Sequence, residues 1–257
     1  MTLSAWGVRR WSGLLALVVL GAASPHTRAA GSEDWVFKFT PGWYATRGAP
    51  PAVDLNLRAS NGPQAVWIAH YRRGNEFAQS RAGHEYTAVL SDSLQLVSSL
   101  QVASRGFAGG SLTAQIGAGA VAREGHHGPY AIAGWGRTNG REYYNLNFDP
   151  NDALTLGAGW RSASGAQWSL FNVRDDRLGT GQRITHVVAR WAPAAGQRLT
   201  LDLALKQGRA DAQSDVVRGS IASLTWDVDQ RFVRIALDRK VNFSSTDQWR
   251  VAAGLRF

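Results

Sequence analysis

The 257 residues contain no cysteine and a single methionine. Without cysteine there is no disulfide scaffold, no Cys-based metal site and no thiol nucleophile. Charged residues make up 18% of the chain, below the ~25% of an ordinary soluble domain. Beyond residue 30 no apolar run approaches the ~18 residues that a membrane helix requires, which excludes a helical membrane protein. A protein that crosses with strands is not excluded, because its signal is alternation. No Gly-rich loop sits between a strand pattern and a helix pattern, so the phosphate-cradling motif of nucleotide folds is missing, and no cofactor is expected.

What is present is apolar and aromatic: 44% hydrophobic and 10% aromatic residues, with 28 Gly and 11 Trp. That content excludes a disordered chain and fits an all-β architecture. Lys and Arg number 28 against 19 acids, a net charge of +9. A nucleic-acid partner is not expected, because the Arg residues alternate rather than cluster.

The N-terminus reads as a secretory signal peptide over residues 1–30. Arg9 and Arg10 form a basic start, an apolar stretch runs from Leu14 to Ala23, and Thr27, Arg28, Ala29 and Ala30 precede a cleavage point before Gly31. The apolar stretch is about ten residues, half of what a spanning helix needs. Losing Arg9, Arg10 and Arg28 lowers the net charge to +6. Residues 31–257 form one domain, without linker or internal repeat.

That domain alternates with period two. Leu199, Leu201, Leu203 and Leu205 fall on one face and Thr200, Asp202, Ala204 and Lys206 on the other. Val53, Leu55 and Leu57 stand against Asp54, Asn56 and Arg58, and Trp249, Val251, Ala253, Leu255 and Phe257 against Arg250, Ala252, Gly254 and Arg256. The segments run to about ten residues, the length a tilted strand needs to cross a bilayer. Trp35, Trp43, Trp67, Tyr71, Trp160, Trp191 and Trp249 fall near segment ends, where aromatic girdles meet the membrane interfaces.

The chain closes on Leu255-Arg256-Phe257. A last membrane strand ending in Phe resembles the Gram-negative outer-membrane β-barrel proteins. The resemblance implies a location in the bacterial outer membrane, outer-membrane lipids including lipopolysaccharide as surroundings, and Phe257 as part of the signal read by the barrel-assembly machinery. In size and layout the chain is also similar to the YaiO-like outer-membrane proteins, with no motif to carry that likeness.

Strands are expected at 34–46, 51–60, 64–72, 81–91, 93–104, 111–123, 129–137, 152–162, 166–174, 183–193, 197–207, 215–226, 231–240 and 247–257. This is a transmembrane antiparallel β-barrel of about 14 strands; reading 143–148 as strand instead gives 12 or 16. Tight turns at Asn61-Gly62, Ser91-Asp92, 163–165, 194–196 and 228–230 belong on the periplasmic side. The longer polar stretches 73–80, 138–151, 175–182, 208–214 and 241–246 belong on the extracellular side.

With the apolar face outward, the lumen is expected to carry twelve basic residues, Lys38, Arg58, Arg72, Arg123, Arg161, Arg190, Lys206, Arg218, Arg234, Lys240, Arg250 and Arg256. Four acids accompany them, Asp54, Glu85, Asp202 and Asp238. A tube lined this way focuses a positive potential and favours anions. The reading is a porin-like channel, or a component of envelope export, for small anionic solutes or an acidic polysaccharide. Basic residues near the loops also suit lipopolysaccharide phosphates. The alternatives are a structural barrel without flux and a barrel-embedded lipid hydrolase or acyltransferase. Such an enzyme needs a lipid-facing Ser with a His base. His84, with Ser80 four residues before it, is the lipid-facing candidate near the extracellular rim. His70 and His186 are expected to face inward, His70 near Glu85 and Arg72. His126 and His127 fall in a periplasmic turn, and adjacent residues share one metal poorly. No His-x-Ser motif accompanies any of them, so no catalytic or metal residue is assigned.

Overall fold

The computed structural model describes residues 34–123, 125–139, 153–175 and 179–257. The signal segment lies outside them, as does most of the 138–151 stretch. Fourteen strands form one closed antiparallel barrel: β1 (Val36–Thr46), β2 (Ala52–Asn61), β3 (Gln64–Arg73), β4 (Phe77–Ser91), β5 (Leu94–Ala103), β6 (Phe107–Ile116), β7 (Gly128–Thr138), β8 (Leu154–Arg161), β9 (Gln167–Asp175), β10 (Gln182–Trp191), β11 (Gln197–Gly208), β12 (Val217–Val228), β13 (Arg231–Asp238) and β14 (Gln248–Arg256). Each pairs with its sequence neighbours, and β1 closes on β14. The strand number and order agree with the alternation in the sequence.

The alternation sets the two faces. Outward positions carry large apolar side chains left bare by the chain itself, such as Ile68, Leu100, Leu170, Leu203 and Leu205, the last 72% exposed. A soluble protein does not leave an apolar surface that continuous; lipid is its natural solvent. Trp160 pairs with Trp168 across β8 and β9, and with Trp226 they ring the barrel at the end that holds the chain termini. Trp226 Nε1 donates to Gln197 Oε1 at 3.3 Å. Trp43, Trp135 and Trp249 stand toward the opposite end and are about half exposed.

Two aromatics expected in the girdles are inside instead. Trp67 lies over Gly83, its registered partner on β4, where a Cβ would come within 2.5 Å of the ring. Tyr71 is fully buried and meets Tyr44 edge-on, with ring centroids 6.0 Å apart. β3 carries apolar residues on both faces, so hydropathy alone does not fix its phase. The aromatic-over-glycine arrangement recurs at Tyr130 on Gly159 and Phe232 on Gly254, each a registered cross-strand pair. The bare glycine lets the ring lie flat on the wall, which keeps bulk out of the lumen.

The largest boundary differences from the sequence reading are at β6 and β4. β6 spans Phe107–Ile116, not 111–123. Gly117 has φ 137°, and the following connection turns inward, burying Ala120 and Val121. Arg161 Nε donates to Gly119 O at 3.1 Å. Small residues at 118, 120 and 122 continue the alternation by composition only. At the other end the connection between β3 and β4 is only residues 74–76, because Phe77 and Gln79 already belong to β4; Phe77 packs on the Tyr44–Tyr71 cluster.

Candidate functional site: the barrel lumen

The inward strand positions are fixed by register. Among the described strand residues the inward bases are Lys38, Arg58, Arg73, Arg81, Arg161, Arg190, Arg198, Lys206, Arg234, Arg250 and Arg256. The inward acids are Asp54, Glu85, Asp175, Asp202, Asp227 and Asp238. The basic excess is therefore smaller than twelve against four.

Four of the expected lumen residues lie elsewhere. Arg72 is on the outer face, because β3 has the opposite phase; its guanidinium donates to Gly74 O and Asn75 Oδ1, both at 2.9 Å. Arg218 also points outward, between the inward Val217 and Gly219. Arg123 is in the connection after β6 and pairs with Asp92 at 3.5 Å. Lys240 follows β13, in a left-handed conformation before the 3-10 turn Val241–Phe243, and donates to Ser245 O at 3.2 Å. The sequence reading missed Arg73, Arg81, Arg198, Asp175 and Asp227. Strict alternation back from Glu85 finds Arg81, and back from Asp202 finds Arg198.

Most of the remaining charges sort into two groups. One group is neutralised. Arg58 pairs with Glu85, Arg81 with Asp54 at 2.5 Å, Lys206 with Asp238, and Asp227 holds both Arg256 and Arg198. These ion pairs lie on the β1–β5 side of the barrel and toward both of its ends. Separately, His186 Nδ1 lies 2.9 Å from Asp202, a hydrogen-bond contact in the middle of β10 and β11.

The other group rests on neutral partners. Arg190 donates to Gln167 Oε1 at 3.2 Å, Arg234 Nε to Thr225 Oγ1 at 2.8 Å, and Arg161 to Gly119 O. Lys38 sits 4.1 Å from the Phe232 ring centroid. Register strings three of these on one inward row: Arg161, Gln167, Arg190, Thr200, Thr225 and Arg234 are successive cross-strand partners from β8 to β13. The row is a run of guanidinium, hydroxyl and amide groups without a carboxylate.

This row borders a cavity of about 700 Å³ enclosed by β6–β14 and lined by Gln167, Arg190, Thr200, Thr225, Arg234 and Arg250 among others. At its outer end Val241, Asn242 and Phe243 reach inward, and Phe243 packs on Ile184 and Ala204.

The histidines occupy other places than expected. His70 faces outward, not inward, and Nδ1 lies 3.0 Å from Oγ of its registered partner Ser80. Glu85 is on the inner face with Arg58, so His70 and Glu85 do not meet. His84 is outward, but in the middle of β4 opposite Val66 and Leu100, away from the rim. Ser80 is thus the neighbour of His70, not of His84. Among the described residues no carboxylate or amide orients the His70 ring, which a nucleophile and base pair requires.

A closed up-and-down barrel with a continuous apolar outer face has one natural setting. The protein is an outer-membrane β-barrel. Its fold is similar to that of Omp33, an outer membrane protein of Acinetobacter baumannii, at 11% identity and TM-score 0.51, covering 88% of this chain and 99% of that one. Lower-scoring likenesses include a KdgM porin in complex with disordered oligogalacturonate, at 8% identity, TM-score 0.43, with 86% and 99% covered. No protein-family model and no curated protein matches the outer-membrane barrel.

Proposed function

We propose that the protein is an outer-membrane channel that favours small anions over cations. The reading rests on one observation: the inward row from Arg161 to Arg234 carries three guanidinium groups held by neutral partners beside the lumen cavity. A positive row inside a low-dielectric wall raises the local anion concentration. The hydroxyl and amide groups of Thr200, Thr225 and Gln167 supply stepping contacts that are weak enough to release a solute. Asp202, one inward step along β11 and hydrogen-bonded to His186, is a carboxylate that the three guanidinium groups of the row outnumber. Small carboxylates, phosphates and acidic sugars fit this chemistry. Solute-swelling of proteoliposomes tests it: a mono-acid sugar is expected to enter faster than a neutral sugar of the same size at low salt, and to lose that advantage at 1 M salt, where the Debye length falls to ~3 Å. Equal rates at low salt would contradict the reading.

A further inference from the structure

The outer face carries a second basic feature, which the channel does not use. At the loop-side ends of β9–β12, Arg174 is the registered partner of Arg183, Arg183 of Gln207, and Gln207 of Arg218. All four are outward, alternating with the inward Val173, Ile184, Lys206 and Val217, and the three arginines are exposed. Below them Asn172 accepts from Arg174 Nε at 3.1 Å and donates to Thr185 Oγ1 at 2.8 Å. Among the described residues no carboxylate pairs with any of the three arginines. Like charges directly opposite one another on antiparallel strands repel, and a guanidinium on the lipid face is costly except at an interface. Farther toward the bilayer on β9–β11, past Asn172 and Thr185, stand the exposed Leu170, Val187, Leu205 and Leu203.

We propose that this row binds the phosphate groups of an outer-leaflet lipid. Guanidinium groups match phosphate oxygens in two-point hydrogen bonds, and the repulsion along the row is relieved by an anion shared between neighbours. The bare leucines and valine beneath the row give the acyl chains of the same molecule a surface to cover. A free phosphate ion finds no use for that surface, which is why a lipid is the occupant. The proposal stands independently of anion flow through the lumen.

The test uses the full barrel in detergent, stripped of lipid and titrated with lipid A carrying two phosphates or with its dephosphorylated form. The unmodified barrel is expected to prefer the phosphorylated lipid. Each arginine replaced by Gln should weaken that binding about fivefold, and Arg174→Gln, Arg183→Gln and Arg218→Gln together on the order of a hundredfold. Arg231→Gln, an outward arginine at the opposite rim, should change nothing. Equal binding of the two lipids to the unmodified barrel overturns the proposal, and this comparison stands even if the triple variant fails to fold. A folded triple variant that binds like the unmodified protein also overturns it. Displacement of the lipid by equimolar inorganic phosphate would assign the row to a free anion and overturn the lipid.

Discussion

Phe37 and Phe257 close the barrel at the end where the chain leaves it. Phe257 N–H donates to Phe37 O at 3.0 Å and Phe37 N–H to Phe257 O at 2.9 Å. Their rings stack 5.8 Å apart on the outer face, 17° from parallel. The terminal residue thus completes the β1–β14 seam.

Deleting Phe257 removes both hydrogen bonds and the ring contact, together with the aromatic terminus expected to be read during assembly. The truncated protein should accumulate outside the outer membrane. Membrane fractionation with heat-modifiable gel mobility measures this, and wild-type levels of folded, membrane-inserted barrel would refute it.

The connection between β11 and β12, residues 209–216, is on the side opposite the termini. With both termini periplasmic, as barrels of this kind have them, an epitope inserted after Gln213 should be labelled on intact cells. Labelling that appears only after the outer membrane is permeabilised would invert the topology.

Leu203 and Thr200 sit three residues apart on β11 and face opposite solvents. Leu203 is outward and 46% exposed, whereas Thr200 lines the cavity. Leu203→Arg should cost ~2–4 kcal/mol of unfolding free energy, as charge at the bilayer midplane does. Thr200→Arg should cost much less. Denaturant titration in lipid vesicles checks the pair, and equal losses would mean that both faces pack against protein.

Lys206 and Asp238 form an ion pair in which the lysine side chain is only 2% exposed. Asp238→Asn leaves that ammonium beside the Phe243 ring without its counter-charge and should cost about 3–5 kcal/mol. Lys206→Met combined with Asp238→Leu should recover most of the loss. The same titration reads both, and a double variant no more stable than the single one would show that the pair is not isolated.

The strand number, the strand order and the lipid face were legible in the sequence because a two-sided wall writes its phase as period two. The phase failed where both faces are apolar. On β3, Trp67 and Tyr71 look like girdle residues but fill the lumen, which turned His70 and Arg72 to the wrong side. On β12, inward Val217 and Ile221 similarly mask the outward Arg218. The pairing of luminal charges was not legible at all. Arg58 finds Glu85 and Arg256 finds Asp227 across strand registers, and alternation along one strand carries no information about its neighbour's register. The row from Arg161 to Arg234 is a property of six strands at once.

Luminal arginines held by neutral partners are expected to set the ion preference of the channel. The most direct measurement is the reversal potential of purified protein in a planar bilayer under a tenfold KCl gradient at low ionic strength. The wild-type barrel should be anion-selective. Arg190→Gln with Arg234→Gln should move the reversal potential toward zero, and Arg190→Glu with Arg234→Glu further toward cations. A conducting wild-type barrel with cation selectivity, or a reversal potential unmoved by these substitutions, would contradict the account.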